Sequence, residues 1–385
     1  MNRGRTVFAQ LLEFVPISHF EHLVDVYQAN KGVSAFSAWS HFICLAYAQL
    51  TRRAGLRDLT DCLNAQKLYH VGIRGSVSRS TLADAAERRD YRLFEALGQR
   101  LITAALALYG DEDIGLGLKG PVFAMDSTTI DLCLSLFPWA DFRQTKAAVK
   151  AHVIIDLRGA IPVFVSITCG KVHDVRLLDD IRLPPGSILV VDRGYLDFRR
   201  LFTLHQQYVG FVIRAKDNLR FAWVSAQPVD ASTGLRADQT IRLVTPKSKT
   251  DYPQPLRRVS FRDPETGKHL VFLTNLVEPP ALTIAAIYKN RWQIELFFKW
   301  LKQNLAVKHF FGNSINAVKA QIWIAVCTYL LVLIAIKHHR LPVSPQIFLH
   351  LIETNIFEKI TLDQLVANAV LNECKPDMGK QLILL

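Results

Sequence analysis

Residues 122–132 read VFAMDSTTIDL, and residues 187–195 read SILVVDRGY. Each is an apolar run rich in β-branched residues, the composition of a buried strand. Each also carries an aspartate, Asp126 inside the first run and Asp192 at the end of the second. A third acid, Glu295, lies in YKNRWQIELFFKWLK (288–302), whose apolar residues recur at helical spacing. Two carboxylates at strand ends and one on a late helix can converge and hold two divalent cations. Cations about 4 Å apart activate a water or hydroxyl and stabilise the leaving oxygen of a phosphodiester. The expected chemistry is therefore carried out on nucleic acid.

The surroundings of Glu295 are the most specific. Tyr288, Arg291, Glu295 and Lys302 follow the spacing Y-(2)-R-(3)-E-(6)-K. On one continuous helix these four fall within an arc of about 60°. Ile294, Phe297, Leu301 and Leu305 fall on a different face and are expected to pack on a core. A carboxylate suits a hard cation, whereas Arg and Lys suit phosphate oxygens. A merely solvated charged face would show ordinary alternating pairs rather than one acid flanked by two bases and a phenol.

Working outward from Asp126, the strands AAVKAHVIIDLRG and AIPVFVSITCG come next, then a short helix near Asp179. SILVVDRG, the helix DFRRLFTLHQQ and the strand GFVIRAK follow. Three strands, helix, strand, helix, strand is the order expected of a ribonuclease H-like sheet with helices on both faces. Asp126 then sits on the first strand and Asp192 just beyond the fourth. Asp174 can cap the helix near Asp179, and Lys146 and Lys150 flank the second strand, where they could touch target phosphate. Gly194 lets the backbone turn close to the site.

This pattern resembles bacterial insertion-sequence transposases of the DDE type, in the insertion-sequence-four family. The resemblance rests on the complete Y-(2)-R-(3)-E-(6)-K motif with the MDST and VVDRGY segments, and it covers residues 5 to about 340. It implies a ribonuclease H-like catalytic core and a cut-and-paste reaction on element ends. Asp126, Asp192 and Glu295 become the catalytic, metal-binding acids for two Mg²⁺ ions, with Mn²⁺ able to substitute. Tyr288, Arg291 and Lys302 become accessory residues that contact DNA. Some relatives carry a Trp on the strand before the signature helix, where it can stack on a flipped base; here that strand reads HLVFLTN. The alternatives in function are a nuclease of the same fold without strand transfer, and an inactive DNA-binding relative.

The remaining sequence fits such a role. Lys plus Arg exceed Asp plus Glu by 12 in 385 residues, and a chain this basic commonly has a polyanionic partner. Double-stranded DNA, as element ends and target, is the expected partner, with a homodimer in the complex. Six cysteines are scattered without a CxxC pair, in apolar contexts, which suits buried free thiols in a reducing bacterial cytoplasm beside the nucleoid. The apolar stretch Ile322–Ile336 falls short of the ~20 residues that span a bilayer. It is expected to be a buried helix packed on the catalytic core, with no membrane role.

The expected fold class is α/β: a ribonuclease H-like core interrupted by a β-rich insertion, with an all-α N-terminal domain and a helical C-terminal region. Residues 1–115 form the helical DNA-binding domain, in which Arg79 begins a Ser-capped helix that could present its end to a groove as in a helix-turn-helix. Residues 116–218 and 276–340 form the core, 219–275 the insertion and 341–385 the tail. In the insertion, Lys247, Lys249, Arg257, Arg258 and Arg262 could track phosphates. Its Trp223 could stack on a base, but a lone Trp in such a segment belongs more often to the core.

Overall fold

The computed structural model describes residues 5–53, 55–66, 68–73, 75–143, 146–171, 173–304 and 310–373. Helices come first: α1 (Val7–Leu12), α2 (Ile17–Val26), α3 (Ala38–Leu50), α4 (Leu56–Ala65), α5 (Arg79–Arg88) and α6 (Arg92–Tyr109). Strands β1 (Val122–Leu132), β2 (Asp141–Arg143), β3 (Lys146–Asp156), β4 (Ile161–Cys169) and β5 (Ile188–Val191) follow, then helix α7 (Phe198–Gln206) and β6 (Gly210–Arg214). Next come β7 (Phe221–Gln227), β8 (Leu235–Leu243), α8 (Pro246–Asp251), β9 (Leu256–Arg262) and β10 (His269–Thr274). The chain closes with α9 (Ala281–Lys289), α10 (Trp292–Asn304), α11 (Ile315–His338), α12 (Pro345–Asn355) and α13 (Leu362–Glu373). It is a mixed α/β protein of two compact units, Met1–Tyr109 with Trp300–Leu385, and Gly110–Lys299. The expected core segment 276–340 is thus divided, its residues 300–340 falling in the helical unit.

The helical unit is organised by α11. This helix is apolar on every side, and Val318, Ile322, Val326, Leu330 and Val332 have no exposed surface. It is longer than the expected stretch, because Ala317, Val318, Ala320 and Gln321 extend its buried face. By length and composition it could cross a membrane, yet its most apolar window is 94% buried inside the protein. It packs on α6, α3, α5 and α12, and α3 and α6 offer it apolar faces. Helix α5 is capped as anticipated: Ser78 accepts from the Thr81 amide. Residues 66–78 separate α4 from α5, however, which is longer than the turn of a helix-turn-helix.

Close contact of α6 with α11 depends on Gly98. A Cβ there would stand 2.9 Å from Cε3 and Cζ3 of Trp323, a side chain that is itself buried. Gly98→Val is expected to force the two helices apart and cost about 1–3 kcal/mol, the usual range for overpacking. Urea unfolding of the variant measures it, and an unchanged midpoint would contradict this packing.

In the second unit every strand joins one sheet. From β3 the order runs β3-β1-β5-β6-β10-β9-β8-β7; β4 pairs along most of the other side of β3, and short β2 pairs at its start. β1 is antiparallel to β3 but parallel to β5, and β5 is parallel to β6. The expected insertion therefore does not stand apart. Its last strand, β10, pairs antiparallel with β6 (Leu273↔Ile213) and carries the sheet onward. Phe123, Met125, Leu189, Val191, Phe211 and Ile213 alternate along the strands to form a core under α7, with Leu201, Leu204 and Tyr252 packed on them.

Several expected roles change in this setting. Trp223 lies outside the core, 62% exposed on the edge strand β7. Arg257 is committed to Asp238 (2.7 Å) and to the carbonyls of Val277 and Pro279, so it fastens the sheet rather than tracking phosphate. Arg258 donates to Gln239 and lies over the Phe221 ring. Lys247, Lys249 and Arg262 remain exposed. Cys44 and Cys327 are buried thiols as expected, but Cys133 is exposed and Cys62 and Cys169 are half-buried; Cys374 lies outside the described residues.

Candidate active site

The register of the central strands brings the two aspartates together. Ala124 on β1 pairs with Val190 on the parallel strand β5. Asp126 and Asp192 each lie two residues further on, at neighbouring strand positions. Asp126 has side-chain exposure of 23%. Its Oδ1 accepts from the Ser127 amide at 2.8 Å, and its Oδ2 accepts from Arg291 Nη1 at 3.0 Å. Asp192 follows β5 directly and caps the turn Arg193–Tyr195, its Oδ1 accepting from the Gly194 amide at 2.7 Å. A Cβ at position 194 would stand 2.9 Å from that same oxygen, so glycine leaves room for the carboxylate to fold back.

The signature segment is not one continuous helix. α9 ends at Lys289, Asn290 and Arg291 form a turn, and α10 begins at Trp292. The Arg291 amide donates to Tyr288 O, and the Ile294 amide to Arg291 O, the tighter i to i−3 bonding of a helix junction. Tyr288 therefore sits on α9, and Glu295 and Lys302 on α10. The junction aims the Arg291 side chain inward. Its Nη2 donates to Glu295 Oε1 at 2.6 Å while Nη1 holds Asp126, so one guanidinium links the first and third acids. Tyr288 packs against Phe272 with ring centroids 4.8 Å apart and planes tilted by 40°, and the Arg291 guanidinium lies 5.7 Å from the Tyr288 ring centre. Of the face expected to pack, Ile294, Phe297 and Leu301 are buried, and Leu305 lies outside the described residues.

Electrostatics follow from this crowding. Burial pushes the Asp126 carboxyl up from 3.8 to about 6, and the nearby Asp192 and Glu295 add to it; the Ser127 amide and Arg291 act the other way. Burial also raises the Tyr288 phenol, against the pull of Arg291, so it stays protonated at neutral pH. Asp126, Asp192 and Glu295 supply only carboxylate oxygens, the donors that hard cations prefer. Among the described residues, though, no three His, Cys, Asp or Glu side chains are gathered closely enough to enclose an ion.

The other expected residues are distributed more widely. Lys302 is exposed on the last turn of α10. Arg79 is exposed at the first position of α5. Lys146 begins β3, with its side chain outside the described residues. Lys150 does not stand open to a phosphate: it is only 14% exposed and pairs with Asp174 at 3.1 Å. Asp174 does not cap the short helix that follows it. Instead it accepts from Ser127 Oγ at 2.8 Å, behind the strand that carries Asp126. This group was not legible in the sequence, because its members come from β1, β3 and the segment after β4 with no shared spacing.

Residues 117–331, more than half the chain, match the family described as the transposase DDE domain, and this chain belongs to that family. Residues 3–74 match a domain of unknown function (DUF4372). A protein of Sinorhizobium fredii named as a transposase is 32% identical over 74% of this chain and 79% of its own length. One from Geobacillus stearothermophilus, named as a transposase for an insertion sequence element, is 34% identical over 55% of each chain. Another, from a Synechocystis strain, is 25% identical over 82% of this chain and 88% of its own. The piggyBac transposase synaptic complex with hairpin DNA aligns over 98% of this chain and 87% of that one, at 10% identity and a TM-score of 0.45, too distant to bear on the fold.

Proposed function

We propose that this chain binds the inverted-repeat ends of an insertion sequence, cleaves them, and joins the freed 3′-hydroxyls to target DNA. The observation that carries this reading is the meeting of Asp126 and Glu295 on Arg291, with Asp192 on the adjoining strand end, in a member of the transposase DDE domain family. The strand order β4-β3-β1-β5-β6, antiparallel then parallel, supports a ribonuclease H-like core. The complete signature spacing supports the insertion-sequence-four family.

Asp126, Asp192 and Glu295 are the residues that would hold Mg²⁺ or Mn²⁺. Their fit lies in the all-carboxylate donor set and in the cost of ionising Asp126, set first by burial and then by the charges of Asp192 and Glu295, which a cation relieves. When bound, two such ions supply the positive charge that favours attack on the phosphodiester and departure of its leaving oxygen. The chain's own residues do the rest. The Ser127 and Gly194 amides fix the two aspartates. Arg291 and Lys302 grip phosphate oxygens near the scissile bond, and Tyr288, kept neutral, packs beside the DNA. Arg79, with Lys146, contributes to holding the duplex, which two copies of the chain engage in the complex.

Incubating the protein with pre-cut element ends, target plasmid and Mg²⁺ tests this reading. Joined products are expected, and Glu295→Gln should abolish joining while still forming the protein–DNA complex, because an amide lacks the charge to complete the acid set. In gel shifts Arg79→Ala should weaken end binding, with a shallower salt dependence. Cleavage without joining would favour the nuclease alternative, and end binding with neither would favour an inactive relative.

A further inference from the structure

Asp126 and Ser127 are consecutive on β1, so their side chains leave opposite faces of the sheet. On the face away from Asp126, Ser127 Oγ donates to Asp174 Oδ1 at 2.8 Å. The same carboxylate oxygen receives Lys150 Nζ at 3.1 Å. His152, fully buried beside Lys150 on β3, points Nδ1 at that oxygen from 3.6 Å, while its Nε2 meets Thr168 Oγ1 on β4 at 2.9 Å. Burial lowers the His152 imidazole, so it stands neutral and Lys150 is the cation of the group. Ser127 therefore touches Asp126 through its amide and Asp174 through its hydroxyl.

We propose that Asp174 is a positioning residue for DNA cleavage: by holding the Ser127 hydroxyl and Lys150 behind the sheet, it fixes the stretch of β1 that sets the Asp126 carboxylate. It touches neither DNA nor the reacting atoms. The proposal rests on the reading of Asp126 as one of the three cleaving acids. A half-buried ion pair is a costly means of stabilising a sheet, since an apolar pair of similar size often does as well. Its value here is directional. A charged acceptor locks the serine rotamer, and with it the amide that holds Asp126 Oδ1. Partners one shell removed from a cation-binding carboxylate typically matter by about 10- to 100-fold in affinity or activity.

The test uses the full chain with Ser127→Ala, Ser127→Thr, Asp174→Asn and the double variant Ser127→Ala/Asp174→Asn. Single-turnover cleavage of pre-bound ends should fall roughly 10- to 100-fold in Ser127→Ala and in Asp174→Asn, with end affinity and melting temperature near wild type. The double variant should be no slower than the slower single, because both act through one contact. Ser127→Thr keeps the hydroxyl and should return the rate to within a few-fold of wild type. Mn²⁺ binding followed by electron paramagnetic resonance should weaken in parallel with the rate. Wild-type cleavage by Ser127→Ala, multiplicative losses in the double variant, or no rescue by threonine would overturn the proposal. Should Asp174→Asn fail to fold, the Ser127→Ala and Ser127→Thr pair decides. Asp126→Ala run alongside separates the two ideas: normal cutting by that variant would instead remove the reading of Asp126 itself.

Discussion

Asp126→Ala or Asp192→Ala is expected to lower DNA cleavage on the order of a thousand-fold or more, with element-end affinity changed little. The size follows from what each acid does. On the proposed reading, losing one ligand carboxylate removes several kcal/mol of charge stabilisation from the transition state, and each 1.36 kcal/mol is about tenfold in rate. On the same reading, binding is spared because basic side chains, not the acids, meet the phosphates. Removing Asp126 also frees Arg291, which keeps its bond to Glu295. Cleavage assays and gel shifts on the same preparations give both quantities, and a variant that cuts at the normal rate loses its place in the site.

Without divalent ions, the wild-type protein is expected to lose stability as pH rises from about 4 to above 6, and Asp126→Asn to lose less. The sign follows from the raised carboxyl. Asp126 holds its proton to about pH 6 in the folded chain, against 3.8 ordinarily. Between those values the folded state binds more protons than the unfolded one, so stability falls with pH. The favourable contribution is complete below the ordinary value and gone above the folded one. About two pH units correspond to at most about 3 kcal/mol. Urea unfolding of both proteins at pH 4.5 and pH 7 measures it, the Asn variant cancelling contributions from other groups. Equal pH slopes would mean that burial does not act on Asp126 as described.

Much of this site could be read from the chain because its parts are periodic or charged. Continuous apolar runs in VFAMDSTTIDL and SILVVDRGY marked two strands, and parallel pairing placed their aspartates side by side. The spacing from Tyr288 to Lys302 marked residues that meet, although the helix breaks at Asn290–Arg291. That break was hidden because neither residue is a Pro or Gly; the tertiary pull of Asp126 on Arg291 has no local signature. Asp174 escaped for a related reason, since a carboxylate before a helix reads as a cap until its distant partners are known.

The split of the helical unit around residues 110–299 has a consequence for synthesis. A ribosome adds roughly 5–20 residues per second, so about 10–40 s separate the emergence of α6 from that of α11. During that time the sheet-bearing unit, continuous in sequence, can complete itself, while α3 and α6 wait with their apolar faces uncovered and the Tyr109 hydroxyl still lacks the Leu333 carbonyl to which it donates at 2.9 Å. Assembly of the helical half is therefore a late event in the life of each new chain. A nascent chain stalled before Ile315 carries a finished sheet and an unfinished helical unit with exposed apolar faces, the kind of surface that chaperones hold.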